Sequence, residues 1–441
     1  MTMRDNEVPS GRRSRRRTLA TGMVLVALCS LATGCGFGNE SMGVVWDTPA
    51  DRKAEPHGMG AWLSGDMLVR SRFDAVTGFS AATGVRSWEY VPPGRSVVCH
   101  ATADTVRSVL VLIRDGDGAS SPAKDTSCTT AVGIDMKNGR ELWRAPLSKP
   151  EPLRFQDSSV SAGGGVALLL QKDELRAVDV RTGTPRWKAA LPKDCVPGRT
   201  AAGERQVAAL LACGGDDNPW DEKVAEDAEL HTAAFDPATG ALKWYAPLGG
   251  RQAIGYNASA AFVSADPVVV AASESGDSDQ GAYFSFGRDG RPNPPVDFSG
   301  PYGEITFHSR LTATADDRRL YVMPEPPTKR SRDSRHHLTA FDLATGAPVW
   351  GATPDDDRLD GDSGYRLLVQ DGKLTVVTSH RSDPYRVRVL DTATGEQRDI
   401  RDLPDDMDSV DKIFAYQGRL IVARYDAYST GSRPFTAYER R

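Results

Sequence analysis

Short apolar runs separated by polar, glycine-rich stretches fill the chain, and within them the apolar positions tend to alternate, as at Leu338 and Ala340 or Val387 and Val389. Period two predicts strands packed between neighbouring sheets. The segment Thr339 to Trp350 recurs almost verbatim as Thr232 to Trp244, with the shared core Ala-x-Asp-x-x-Thr-Gly-x-x-x-Trp. Variants stand at Ala177, Asp179, Thr182, Gly183 and Trp187; at Asp135, Asn138, Gly139 and Trp143; at Thr83, Gly84 and Trp88; and at Asp391, Thr394 and Gly395. A worn copy lies near Asp289-Gly290. The turn glycines 84, 139, 183, 240, 290, 346 and 395 are thus spaced by roughly 50 residues, the period of propeller blades.

Each motif position has a physical task. The Asp opens a turn and, with the Thr, can accept or donate hydrogen bonds to nearby backbone, while Gly supplies positive φ for a tight reversal. The Trp falls on the outer strand, where a ring burying on the order of 200 Å² plugs the gap between blades. The same tryptophans could serve as stacking platforms for a ligand. Their recurrence at one motif position assigns them to packing.

This motif resembles the PQQ-like repeat of quinoprotein dehydrogenases and of the propeller scaffold of outer-membrane assembly lipoproteins, over residues 43–441. The resemblance implies an all-β fold of four-stranded antiparallel blades. The other common propeller repeat, WD40, would bring Gly-His and Trp-Asp signatures, which do not recur. After the seventh glycine, Lys412 to Tyr416, Leu420 to Arg424 and Phe435 to Glu439 supply three strands of an eighth blade, and the chain then ends. Gly43 to Pro49 resembles Gly346 to Pro354, so the first strand of the body is expected to complete the eighth blade and abolish its free edge.

The N-terminal segment is an address. Arg12, Arg13, Arg15, Arg16 and Arg17 form a basic region, and Leu19 to Leu31 form an apolar one too short for a bilayer of about 30 Å. Leu31-Ala32-Thr33-Gly34-Cys35 resembles a lipobox, which assigns residues 1–34 to a signal peptide, Cys35 to lipidation and 35–42 to an anchor and tether. Ser14 to Leu19 resembles a twin-arginine signal, leaving export by the Sec or the Tat route open. A lipid-anchored protein at the outer face of the cytoplasmic membrane is expected, and the excess of Arg over Lys points to a GC-rich, actinobacterial genome. The net charge of −5 includes six Arg against Asp5 and Glu7 in the leader, a +4 segment whose removal leaves −9. Such a surface repels phosphate backbones, so no nucleic-acid partner is expected. A monomer is.

Four cysteines remain in the body, Cys99, Cys128, Cys195 and Cys213, an even number suited to two disulfides in an exported chain. Of three connectivities, Cys99 with Cys128 and Cys195 with Cys213 each stay within one blade. No Cys-x-x-Cys spacing or matched histidine array favours a metal.

With strands lettered A to D from the centre outwards, the B–C loops and the D-to-A connections share one face, and acidic residues gather there. Asp115 with Asp117, Asp216 with Asp217, Asp221 and Glu222, the run 274–279, Asp355, Asp356 and Asp357 with Asp360 and Asp362, and Asp405 and Asp406 with Asp408 all fall in such loops. The exception is a basic loop with Lys329, Arg330, Arg332 and Arg335. These are solvated loops in one reading and a polarised docking face for a protein, an envelope polymer or Ca²⁺ in the other.

Two classes of function follow. The first is a non-enzymatic binding or scaffolding propeller without a cofactor. The second is a PQQ- and Ca²⁺-dependent dehydrogenase, for which the resemblance implies a vicinal Cys-Cys pair, often a Cys-x-x-Cys-His haem site, and long insertions around the quinone; the chain has none of these. A small-ligand sensor using the central channel is a third reading.

Overall fold

The structure is a computed structural model and describes residues 40–51, 60–103, 106–115, 127–152, 160–171, 174–214, 228–248, 259–273, 280–305, 313–324, 338–352, 365–378, 385–404, 410–424 and 433–441. Residues 1–39, with Cys35 and the expected leader, lie outside them.

Eight four-stranded antiparallel sheets follow one another as blades of a ring. Blade 1 comprises strands Gly60–Ser64, Met67–Ser71, Val76–Ser80 and Arg86–Tyr90; blade 2, Val98–Ala101, Val109–Asp115, Ser127–Asp135 and Glu141–Pro152; blade 3, Val160–Gly163, Val166–Gln171, Glu174–Asp179 and Pro185–Lys188. Blade 4 comprises Cys195–Ala202, Val207–Cys213, Glu229–Phe235 and Leu242–Pro247; blade 5, Ser259–Ala265, Val268–Ser273, Gly281–Ser285 and Val296–Asp297. Blade 6 comprises Ala313–Ala315, Arg319–Val322, Leu338–Asp342 and Pro348–Ala352; blade 7, Tyr365–Gln370, Lys373–Thr378, Arg386–Asp391 and Gln397–Asp402. Blade 8 has Val410–Tyr416, Arg419–Arg424 and Phe435–Arg440, with Met42–Asp47 as its outer strand. In each blade these are strands A to D, and from blade 2 to blade 8 the A strands of successive blades touch around the centre.

Alternation alone underdescribes the B strands. Every residue of Val109–Asp115, Val166–Gln171 and Val268–Ser273 is buried. The reason is that both faces of a blade pack on a neighbour: Leu110 and Leu112 face blade 1, while Val109, Val111 and Ile113 face blade 3. The apolar interior is accordingly divided into eight clusters, one for each seam between blades. Each buried Leu, Ile or Val there contributes roughly 1.5 to 3 kcal/mol, and the division lets a chain grow past the size at which one core saturates.

The seams are keyed by the motif tryptophans. Trp46, Trp88, Trp143, Trp187, Trp244 and Trp350 each lie on the outer strand of one blade and cover the turn glycine of the next: Gly84, Gly139, Gly183, Gly240, Gly290 and Gly395. At Gly183 the backbone has φ +69°, and a Cβ would stand 2.6 Å from the Trp143 ring, so both conformation and contact require glycine. Four indoles also donate across the seam to a backbone carbonyl: Trp88 to Met136, Trp143 to Val180, Trp187 to Pro237 and Trp350 to Thr392, at 2.8 to 3.0 Å.

The ring closes through the N-terminal strand. Met42 pairs with Arg440 and Gly43 with Glu439, and after a bulge Trp46 pairs with Ala437 and Asp47 with Thr436. Thr48 extends the pairing by exchanging hydrogen bonds with Phe435, and the Thr436 hydroxyl donates to Asp47 at 2.7 Å. Trp46 is half-buried, so Trp46→Ala should cost on the order of 2 to 3 kcal/mol in denaturant unfolding. Deleting residues 43–49 should also expose the edge of Phe435–Arg440 and promote aggregation. Wild-type stability in both variants would mean that this strand does not hold the ring.

Candidate functional site

The recurring aspartates are spent on turns. Asp179 accepts from the backbone N–H of Arg181 at 3.0 Å and of Thr182 at 2.9 Å, and from the Thr182 hydroxyl at 3.1 Å. Asp236, Asp342 and Asp391 repeat this arrangement with Thr239, Thr345 and Thr394. The Arg186 guanidinium, followed by these amide and hydroxyl donors, holds the Asp179 carboxyl at about 2. Asp236 is lowered chiefly by the Thr239 hydroxyl, and Asp391 by the amides of Ala393 and Thr394.

The candidate docking residues Asp355, Asp356, Asp357, Asp360, Asp405, Asp406, Lys329, Arg330, Arg332 and Arg335 lie outside the described residues. The strands they join are described. Segments 325–337, 353–364 and 405–409 link strand B to C in blade 6, D of blade 6 to A of blade 7, and D of blade 7 to A of blade 8. All three connections leave from the same end of the ring by the alternation of strand direction. Asp115 is described, and it is a buried terminal residue of strand B.

At the opposite end the A–B and C–D turns are short, and the charges there meet one another. Arg205, in the A–B turn of blade 4, reaches Asp266 of blade 5 at 2.9 Å and Asp317 of blade 6 at 3.2 Å. Beside them a cleft of about 260 Å³ is bounded by Gln206, Ser285, Phe286, Asn293 and Leu343. Arg205 is half-exposed, so these pairs add little stability. Nearer the axis, Ser161, Thr200, Phe262 and Ser264 help line a pocket of about 40 Å³. That volume suits ordered water rather than a tricyclic quinone, and its lining offers no carboxylate for Ca²⁺, so these residues do not fit PQQ.

A second group escaped sequence reasoning altogether. Arg70 is 2 % exposed on strand B of blade 1, facing the closing seam with blade 8, and lies 3.5 Å from Asp51. Arg72 stands 3.6 Å from Asp51 and 2.8 Å from Asp74. Burial raises the Asp51 carboxyl and lowers the Arg70 guanidinium, each opposed by the other's charge. At the matching register the other blades carry Leu112, Leu169, Ala209, Val270, Val322, Val376 and Val422. Comparison of the B strands in register is the signal that could have found it.

The cysteines pair as Cys99 with Cys128 and Cys195 with Cys213, within blades 2 and 4. The first pair is buried between blades 2 and 3. The second joins directly opposed residues of strands A and B and is partly exposed.

Fold and repeat together define an eight-bladed β-propeller. Over residues 37–209 the chain matches the family model described as outer membrane protein assembly factor BamB. No curated protein matches the chain. Among solved structures it is similar to BamB from Moraxella catarrhalis, with 15 % identity, 89 % of this chain and 98 % of that chain covered, and a TM-score of 0.50. It is similar to the quinohemoprotein alcohol dehydrogenase ADHIIG from Pseudomonas putida HK5 at 12 % identity, with 90 % and 76 % covered and a TM-score of 0.51. A europium-containing methanol dehydrogenase matches at 11 % identity, with 90 % and 92 % covered and a TM-score of 0.52. These likenesses establish a shared fold, common to an assembly factor and to dehydrogenases.

The depressed carboxyl of Asp179 sets a sign for acid unfolding. Its folded value lies below the ordinary 3.8, so its contribution is complete above that value and is lost as pH falls toward about 2. Asp179→Asn should therefore narrow its stability difference from wild type across that window, as measured by thermal melts at stepped pH. A difference that stays constant would refute the turn carboxylate as a source of acid sensitivity.

Proposed function

We propose that the chain is an exported lipoprotein, anchored through Cys35 at the outer face of the cytoplasmic membrane, whose propeller binds or scaffolds a protein or envelope polymer. The observation that carries this reading is the use of every well-formed motif Asp and Thr in its own turn, which leaves the repeat without chemistry to perform. A family model described as an assembly factor supports a protein partner. Binding then falls to positions outside the repeat, above all the acidic connections at the B–C and D-to-A end, where Asp355, Asp356 and Asp357 stand with Asp360, Asp405 and Asp406 opposite the basic loop of Lys329, Arg330, Arg332 and Arg335 in charge.

Two outcomes are expected. Cys35→Ala should release folded protein from membranes into the medium, because a lipid chain supplies membrane affinity and no core packing; retention of the variant in washed membranes would defeat the anchor. Neutralising Asp355, Asp356 and Asp357 together should reduce the yield of crosslinked partner from intact membranes at unchanged melting temperature, since exposed charges steer association and add little stability. Equal yield would remove this loop from the interface.

A further inference from the structure

The two disulfides differ in what covers them. Cys99 and Cys128 are 3 % and 0 % exposed, enclosed in the seam of blades 2 and 3 by side chains such as Val111, Trp143 and Val160. Cys195 and Cys213, at the end of blade 4, are partly exposed: they pack against the seam of blades 3 and 4 on one side, and Tyr245 approaches them from the outer strand. Its hydroxyl lies 3.5 Å from the Cys213 Sγ and 3.7 Å from the Cys195 Sγ, and the residue is itself 39 % exposed. The ring is held from behind. His231 stacks on it with centroids 4.6 Å apart and planes 5° from parallel, and the imidazole meets Glu229 at 3.1 Å. Exposed Lys193 and Asp194 lead into Cys195, and the Asp194 carbonyl accepts the Gly214 amide at 2.9 Å, so the chain on both sides of the sulfurs is held in place.

We propose that Cys195–Cys213 is a thiol–disulfide exchange site for a dithiol reductant, while Cys99–Cys128 is a permanent crosslink. A thiolate of the dithiol attacks one sulfur of the partly exposed pair, forming a mixed disulfide as the Cys195–Cys213 bond breaks and the other cysteine leaves as a thiolate. The Tyr245 hydroxyl is within reach of either leaving sulfur and donates a hydrogen bond to it. Burial and the neighbouring Glu229 keep that phenol protonated above its ordinary range. The second thiol of the dithiol then resolves the mixed disulfide, leaving as a cyclic disulfide. Two electrons and two protons pass to Cys195 and Cys213. The A and B strands remain paired by their backbone ladder from Val196 to Val207, so reduction at this end does not require the blade to open. The inner pair offers no such route. Its sulfurs meet solvent only when the seam between blades 2 and 3 separates.

The test uses the intact, oxidised, full-length protein with graded dithiothreitol below its melting transition, quenched with a maleimide and mapped by peptide. Labelling of Cys195 and Cys213 should run at least about tenfold faster than that of Cys99 and Cys128, with circular dichroism unchanged in the selectively reduced protein. Tyr245→Phe should slow the first process and leave the second alone. Labelling of all four sulfurs at one rate, or of Cys99 and Cys128 first, would overturn the proposal, as would selective labelling that appears only with loss of the native spectrum.

Discussion

The contact on which the ring depends is a tryptophan of one blade lying over the turn glycine of the next. The glycine must be there twice over, for its positive φ and for the absence of a Cβ, and the tryptophan must be there to fill what the glycine leaves open. Because the pair spans a seam, it sets the distance between blades instead of stabilising one blade alone. The Asp and Thr that shape the turn act on the same contact from the other side, since they fix where the glycine sits. At Gly84 the ring comes from Trp46, carried by a strand far away in sequence, so closure uses the same joint as five other seams. Opening that joint exposes two blades at once. A linear repeat array, by contrast, would lose only a terminal cap.

Blade 5 shows how the joint can be rebuilt when the motif is worn. Gly287 stands where other blades place the turn Asp, strand D shrinks to Val296–Asp297, and Pro294 and Pro295 lie over Gly346 in place of an indole. The seam is filled from elsewhere. Phe298 and Ile305, at 0 % and 2 % exposure, flank a small hairpin of Ser299–Gly300 and Gly303–Glu304, and Tyr302 packs edge-on against Phe341 at 4.7 Å. The seam is therefore still filled, while the residues that fill it change.

The fold was legible because its joint is local in sequence. Asp, Thr, Gly and Trp fall within one turn and one strand, so a period near 50 residues exposes all the good copies, and the unpaired strand at each end declares the closure. The four body cysteines were legible for a related reason: each partner lies in the same blade. What could not be read is what depends on register between distant strands. Arg70 sits in an apolar run that looks like any other B strand, and its partner Asp51 lies across an unrelated connection. Arg205 meets Asp266 and Asp317 only because three successive A–B turns converge on one end of the ring. The proposed docking loops were legible as charge alone, and charge in a connection carries no geometry.

The two ends of the ring are consequently not equivalent. At the A–B and C–D end the backbone is drawn into tight turns whose carboxylates are satisfied by the turns themselves or by neighbouring arginines, as at Asp179, Asp266 and Asp391. Such groups have little left to offer a partner, because their hydrogen-bonding capacity is already committed. The repeat cannot dictate the other end, since the B–C and D-to-A connections fall between motifs and differ in length and charge from blade to blade. Selection acting on those connections leaves the seams untouched. A propeller of this kind can therefore change what it binds without changing how it stands. That physical separation lets one fold serve both an assembly factor and dehydrogenases.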